Sequence, residues 1–261
     1  LKGKAILLGS GTSSGVPLIG CTCPVCRSND PRNHRLRTSL WFEVEGISGL
    51  IDTGTDLRQQ LLREGIRRID FVLYTHAHAD HIHGIDDIRP FTLFRSTPLP
   101  CYADPFTVEV LKVRFPYIAH RDPTYPSVVP NLEFIPFPEP FPFFVGGKIP
   151  VHPIEVDHGG EVVYGFRIGN LGYLTDVKAI PPTSLRILQG VEVLFLGVLR
   201  EEPHPKHIDL KTALKIIEAL GNPRTIFVHL GHEVDYQEWK RRLPSHCSPG
   251  YDGMRVSFSI P

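Results

Sequence analysis

The sequence holds one methionine, Met254, and two tryptophans, Trp41 and Trp239, and it has no excess of charge of either sign. Lysine and arginine number 28 and aspartate and glutamate 28, so the formal net charge is zero. Such a chain has no global field with which to collect a polyanion, and binding to nucleic acid would need a local basic patch. Its dense basic stretches are Arg32 to Arg37 and Lys240 to Arg242. No run approaches the roughly 18 apolar residues of a membrane-spanning helix. The opening Leu1-Lys2-Gly3-Lys4 lacks a signal-peptide pattern, and neither an internal repeat nor a low-complexity linker is present. Cysteine is scarce as well: five residues, three of them within six positions. A disulfide framework would spread along the chain, whereas tight clustering points to metal binding in a reducing compartment, so a cytoplasmic location is expected.

What is present is a globular composition, 261 residues with 41% hydrophobic and 21% charged. Lys4 to Leu8 reads as a strand that ends in the turn-rich loop Gly9 to Gly15. Thr38 to Val44 and Gly49 to Asp52 read as strand, turn and strand, and Asp56 to Glu64 as a helix stopped by Gly65. Ile69 to Tyr74 is a continuous apolar run, as a buried strand should be. From 122 to 150 prolines stand at 123, 126, 130, 136, 138, 140, 142 and 150, a density that prevents central strands and helices. Phe134, Phe137, Phe141, Phe143 and Phe144 are interleaved with them. This segment is expected to be an apolar insertion, a hairpin covering the domain edge, with a lid or a homodimer contact as the alternative. Strand-like runs follow at Val151 to Val156, Val163 to Ile168, Leu171 to Thr175, Val191 to Gly197 and Thr225 to Val228. Asp209 to Leu220 reads as an amphipathic helix capped by Asp209. Strands, then strands mixed with helices, occur in both halves. The expected fold class is α/β, two sheets sandwiched between helices, in a single domain over 1–261.

The strongest local signal is Thr75-His76-Ala77-His78-Ala79-Asp80-His81. On a loop leaving a strand, His76 and His78 are two apart and can point toward one ion. Asp80 and His81 come after the chain has turned and can face a second. Two ions about 3.5–4 Å apart clamp the attacking and leaving oxygens of a displacement. Such a pair needs further ligands, and His158, Asp176 and His229 each stand where a strand gives way to a loop. Asp176 alone among these three has two oxygens with which to bridge. His120, His152, His204 and His246 read as hydrogen-bonded surface groups. Cys21, Cys23 and Cys26 offer three corners of a Zn²⁺ tetrahedron. The fourth is best placed at His232, three residues after His229, with the isolated Cys101 and Cys247 as the other sources.

With these motifs the chain resembles the metallo-β-lactamase fold superfamily over nearly its whole length. Asp52-Thr53-Gly54 and the opening Gly9-Ser10-Gly11-Thr12 also match that pattern. The resemblance implies a four-layer αβ/βα sandwich. It implies that His76, His78 and His158 hold one metal, that Asp80, His81 and His229 hold a second, and that Asp176 bridges both. A bridging aspartate is similar to the phosphodiesterase and glyoxalase branches rather than to dizinc β-lactamases. Cys21, Cys23, Cys26 and His232 resemble the structural zinc site of one phosphodiesterase subgroup, the phosphoribosyl 1,2-cyclic phosphate phosphodiesterases of the carbon–phosphorus lyase pathway. The segment around that subgroup's general acid resembles Lys206-His207-Ile208-Asp209-Leu210.

The activity implied by this resemblance is hydrolysis of a small, cyclic phosphodiester by a metal-bridging hydroxide. Asp80 would orient the nucleophile and His207 would protonate the leaving alkoxide. The ligand types accept Zn²⁺, Mn²⁺ or Fe²⁺ alike. The Gly9 to Gly15 loop is a candidate phosphate cradle. Three other readings stand beside this one: a tRNA 3′-processing nuclease, a non-enzymatic carrier like the PQQ-biosynthesis protein B, which shares the cysteine pattern, and a thioester hydrolase.

Overall fold

The computed structural model describes residues 1–120, 129–139 and 141–261. The strands of the first half are β1 (Lys2–Gly9), β2 (Ser39–Val44), β3 (Ile47–Ile51), β4 (Phe71–Leu73), β5 (Leu99–Ala103) and β6 (Leu132–Pro136). Those of the second are β7 (Phe143–Val145), β8 (Ile149–Asp157), β9 (Val162–Ile168), β10 (Leu171–Leu174), β11 (Val193–Gly197), β12 (Arg224–Val228), β13 (Cys247–Pro249) and β14 (Arg255–Ser259). They form two seven-stranded sheets, β14-β1-β2-β3-β4-β5-β6 and β13-β12-β11-β10-β9-β8-β7. The two are built alike. Antiparallel pairing runs from β14 through β1 and β2 to β3, and parallel pairing from β3 to β6. In the second sheet β7 to β10 are antiparallel and β10 to β13 parallel.

Alternation of side chains along each strand sorts the apolar residues into layers. In β1, Ala5 and Leu7 face the other sheet while Ile6 and Leu8 face helices. In β11, Val193 and Phe195 face inward and Leu194 and Leu196 outward. Between the sheets lies one core containing Phe42, Phe71, Phe166, Phe195 and Val228. The outer face of the first sheet is covered by α1 (Leu57–Glu64) and α3 (Pro105–Arg114), with α2 (Ala79–Ile82) and α4 (Pro116–Ala119) as short turns beside them. α5 (Pro182–Leu188), α6 (Leu210–Ala219) and α7 (Tyr236–Arg242) cover the second through Leu188, Ala213, Ile217 and Trp239. α1 stops at Gly65, which takes a left-handed conformation (φ 65°), and α6 begins at Asp209, whose carboxylate accepts from Thr212 N at 2.7 Å. The result is the αβ/βα sandwich.

The proline-rich segment differs from the expected insertion. Its residues 122–128 and 140 lie outside the described residues. Those described supply the edge strands of both sheets, β6 on the first and β7 on the second, so the segment belongs to the framework and carries the chain from one sheet to the other. Proline excludes a strand from a sheet's centre but not from its edge.

Strand direction positions the site. β8, β10, β11 and β12 point the same way in one sheet, and β3, β4 and β5 in the other. The residues that follow β3, β4, β8, β10 and β12 are Asp52, the His76 to His81 loop, His158, Asp176 and His229.

Candidate metal centre

Three of these strand ends share an uncommon backbone. Asp52, Asp176 and His229 have φ of 63°, 52° and 58°, in the left-handed region that non-glycine residues seldom occupy. Such conformations cost energy and persist where surrounding bonds hold them. Here Thr53 N bonds His81 O at 2.7 Å and Gly84 N bonds Thr53 O at 2.7 Å, binding the β3 turn to the histidine loop. Gly54 permits that approach, because a Cβ there would lie 2.3 Å from Asp80 O. His229 N bonds Thr38 Oγ1 at 3.1 Å, and that hydroxyl donates to Gly11 O.

The hydrogen bonds assign the imidazole tautomers. Asp52 is fully buried and accepts three donors: Thr75 N (2.8 Å), Thr75 Oγ1 (2.8 Å) and His81 Nδ1 (2.7 Å). The Thr75 hydroxyl gives its proton to Asp52, so its oxygen accepts from His76 Nδ1 at 2.9 Å. His158 Nδ1 donates to the carbonyl of Lys206 at 3.0 Å. His76 and His158 therefore present a bare Nε2, and His81 turns its Nε2 toward Asp80 and Asp176. His78 turns Nδ1 instead, 3.0 Å from His76 Nε2. Its Nε2 lies 3.3 Å from Glu161 Oε2, and Lys206 Nζ holds Glu161 at 2.8 Å.

Around Asp176 the groups close up. Its Oδ2 is 3.3 Å from His81 Nε2, and its Oδ1 is 3.3 Å from His229 Nε2 and 3.9 Å from His158 Nε2. Asp80 Oδ2 is 3.1 Å from His81 Nε2 and 3.7 Å from His229 Nε2. The structure thus brings together all seven residues predicted to surround two ions, with Asp176 in the middle. Despite these short separations, the buried nitrogens His81 Nε2, His229 Nδ1 and Nε2 and His207 Nδ1 have no hydrogen-bond partner among the described residues. Buried polar atoms are normally satisfied, so the two orphans that face carboxylates, His81 Nε2 and His229 Nε2, fit a cation that would sit among them. Three triplets of donor atoms lie within 4.8 Å of one another: His76, His81 and Asp176; Asp80, His81 and His229; and His158, Asp176 and His207.

Electrostatics agree with that fit. Burial alone would raise Asp176, but His229 and His81 overcome it and hold the carboxyl well below the usual range. Asp80 is likewise buried, yet His81 and His229 hold it far down. Burial, then His81, pushes His76 well below the ordinary imidazole value, and burial lowers His158. Ionised carboxylates and neutral imidazoles are the forms that bind metals. His81 is the exception: against burial, Asp80, Asp52 and Asp176 raise it well above the ordinary imidazole value, so a cation there would displace its Nε2 proton.

His207 is buried beside the cluster, with its ring stacked 5.0 Å from His229 and 5.0 Å from those of His158 and His204. Burial, then His229, pushes it down to about 3. The Gly9 to Gly15 loop, a candidate phosphate cradle, has most of its backbone donors already engaged. The N–H groups of Ser10, Gly11, Thr12 and Gly15 are taken by Asp252, Leu36, Leu230 and Thr12, so the loop braces the chain near His229. Sequence reasoning noted Asp52 only as part of a pattern and missed Glu161. Neither stands in a local motif of ligands, and only their distances to His81 and His78 reveal them.

The thiol cluster forms a second, separate group. Cys21 Sγ and Cys23 Sγ lie 3.4 and 3.5 Å from His232 Nδ1, and the four donor atoms of Cys21, Cys23, Cys26 and His232 fall within 4.8 Å of one another. Tetrahedral thiolate–imidazole sites of zinc have this donor set. Cys101 and Cys247 are buried in the two helix–sheet cores instead, which leaves His232 as the fourth member. The Cys26 N–H, then His232, lowers the Cys23 thiol to about 6, whereas burial raises Cys26 to about 11.

The fold and this donor set define a class, and comparison with known proteins agrees. The family model of the β-lactamase superfamily domain matches residues 49–230, and the chain belongs to that family. More particularly, it is similar to a crystal structure described as a new diphosphatase from the PhnP family, with 40% identity and a TM-score of 0.92 over 100% of this chain and 98% of that one. It is 39% identical to an octanoyltransferase of Porphyromonas gingivalis over 97% of this chain and 51% of that protein. A coenzyme PQQ synthesis protein B of Methylobacterium radiotolerans is 34% identical over 35% of this chain and 36% of its own length. The chain thus spans about half, or less, of the length of these two curated relatives.

Proposed function

We propose that this chain is a metal-dependent phosphodiesterase acting on a small phosphodiester, a cyclic phosphate foremost. The observation that carries the reading is the convergence of imidazole nitrogens and ionised carboxylates from four strand ends, those of β4, β8, β10 and β12, around Asp176. Likeness to the PhnP-family diphosphatase supports it. His76, His78 and His158 would hold one divalent ion, Asp80, His81 and His229 another, and Asp176 both. Such ions, Zn²⁺ or Mn²⁺, supply neutralisation of the phosphate oxygens and an acidified water. In the reaction, water oxygen bonds to phosphorus, the P–O bond to the leaving group breaks, and one proton passes to the leaving oxygen. Asp80 orients the attacking water. His207 supplies the proton at the opposite side. Burial, then His229, pushes its imidazole down to about 3, so it is neutral in the free protein and must first take up the proton it donates, which the negative charge of a bound phosphodiester favours. Cys21, Cys23, Cys26 and His232 would hold a structural zinc, and free thiols of that kind suit the reducing cytoplasm.

The basic stretches argue against a nuclease. Arg32 pairs with Asp30, Arg37 with Asp56 and Arg242 with Glu201 and Glu238, while Arg35 is buried against backbone carbonyls. Charge already neutralised in this way offers little to a nucleic-acid backbone. Among the described residues no helix is long and apolar enough to cross a membrane.

The test is hydrolysis by protein reconstituted with Zn²⁺ or Mn²⁺. The panel holds cyclic ribose phosphates, cyclic nucleotides, bis(p-nitrophenyl) phosphate and a thioester. Turnover of a phosphodiester, abolished by chelation, is expected. Thioester hydrolysis alone, or tight and salt-steep binding of tRNA, would overturn the reading.

A further inference from the structure

Beside the histidine loop lies a cavity of about 580 Å³ that the chemistry above leaves unused. Its volume falls within the roughly 300–1,000 Å³ of small-molecule sites. His76 and His78 form one end. The walls come from α3 and from the β8–β9 hairpin: Phe106, Val162 and Tyr164 are apolar surfaces, and Asp104, Glu155 and Glu161 are acidic, Glu161 being already engaged by His78 and Lys206. Phe106 is 74% exposed and Val162 59%, so both spread apolar surface at the rim with none of the described residues to cover it. Tyr164 is held in place, since its N–H bonds Thr75 O at 2.9 Å and its ring meets Phe137 edge-on at 5.3 Å.

Arg114, the last residue of α3, stands where this cavity meets the open cleft over His78, Asp80 and His83. One of its N–H groups donates to Ala77 O at 2.7 Å, which seats the guanidinium against the carbonyl between His76 and His78. No carboxylate among the described residues pairs with it. A cation so placed faces the phosphate of any ester that reaches from the metal centre into the cavity. The carboxylates differ in role from Arg114. Asp104 uses Oδ1 to cap α3 through Phe106 N and Thr107 N, which leaves Oδ2 as an acceptor. A purely aliphatic arm would desolvate these acids without giving them a donor. A flat ring bearing N–H and O–H groups satisfies both the apolar walls and the acids.

We infer that the cavity between Phe106, Tyr164 and Arg114 receives the nucleoside arm of the phosphodiester, its base against Phe106 and its phosphate beside Arg114. The inference deepens the phosphodiesterase reading and rests on it. The experiment compares two esters with the same leaving group, thymidine 5′-(p-nitrophenyl phosphate) and methyl p-nitrophenyl phosphate, on the metal-loaded protein. The nucleoside ester is expected to be preferred in kcat/KM by about tenfold or more, since stacking of one base on an aromatic ring is worth roughly 5- to 160-fold. Phe106→Ala is expected to collapse that ratio, Phe106→Tyr to restore it, and Val113→Ala, 78% exposed on the same helix and outside the cavity, to leave it alone. Equal rates on both esters, with no change on Phe106→Ala, would overturn the inference and leave the phosphodiesterase reading standing. Failure on both esters would count against that reading instead. Calorimetry of thymidine 5′-monophosphate against methyl phosphate then decides the pocket: tighter binding of the nucleotide, lost in Phe106→Ala, supports it, and equal binding refutes it.

Discussion

Asp52 touches no part of the cluster's centre, yet Asp52→Asn should disable it. The carboxylate accepts Thr75 N on Oδ1 and both Thr75 Oγ1 and His81 Nδ1 on Oδ2. An amide keeps the volume but has one acceptor. With its NH₂ toward His81, two donors meet, and the imidazole escapes by moving its proton to Nε2. That removes the lone pair directed at Asp80 and Asp176. With its carbonyl toward His81 the tautomer survives, but the NH₂ then opposes Thr75 N–H in a site without solvent. A buried unpaired donor costs about 1–3 kcal/mol. In a domain of this size that is roughly 2–4 °C of Tm per kcal/mol. The first arrangement weakens metal affinity by about 10- to 100-fold, as loss of a histidine's orienting partner does. Competition with a chromophoric chelator, read for each of the two ions, together with thermal denaturation of the metal-free protein, covers both arrangements. Loss in one ion's affinity or in Tm is expected. If Asp52→Asn matched the parent in both, the tautomer argument would be wrong.

Other substitutions separate the remaining roles. His207→Ala should bind both ions with parental stoichiometry while kcat falls by about 10²–10⁴, the usual worth of a general acid; unchanged turnover would remove His207 from proton transfer. Gly54→Ala forces a methyl to within 2.3 Å of Asp80 O. Overpacking of that kind costs about 1–3 kcal/mol, so a lower Tm and a loosened ion at Asp80 should appear together in calorimetry and metal analysis. In metal-stripped protein a thiol reagent should react first at Cys23, with a rate that is low below pH 6 and rises as the thiolate forms through about 6. Zinc should suppress that reaction, and a pH midpoint near the ordinary thiol value, or modification led by Cys26, would contradict the assigned environment.

Much of the site could be read before any coordinates, because its chemistry is written in short, dense strings. His76, His78, Asp80 and His81 are close in sequence, and a buried strand leads directly into them. His158, Asp176 and His229 were legible only as polar residues terminating apolar runs. Glu161 and Arg114 escaped notice and Asp52 was seen only as part of a pattern, since each acts on a loop contributed by another strand. The proline-rich segment was placed at the domain edge but not within the sheets, for a related reason. Composition showed that it could not be central, but which sheet borders it would complete depends on pairing across some thirty residues, Leu99 with Leu132 for example. The closing strand β14 against β1 depends on pairing across nearly the whole chain and had no local signal.

His229 and His232 are three residues apart, one turned to each cluster, and Arg35 Nη1 clasps the carbonyl of Gly231 between them at 3.0 Å. A span that short is too stiff to let its two imidazoles drift independently. Filling the sulfur-rich pocket would therefore spare His229 most of its ordering cost before any catalytic ion arrives, and the protein should mature in sequence, scaffold first. On the proposed assignment of the thiol site to zinc, cells short of zinc would then hold a population idle for want of an anchor remote from the reaction itself, even with the catalytic ions in supply.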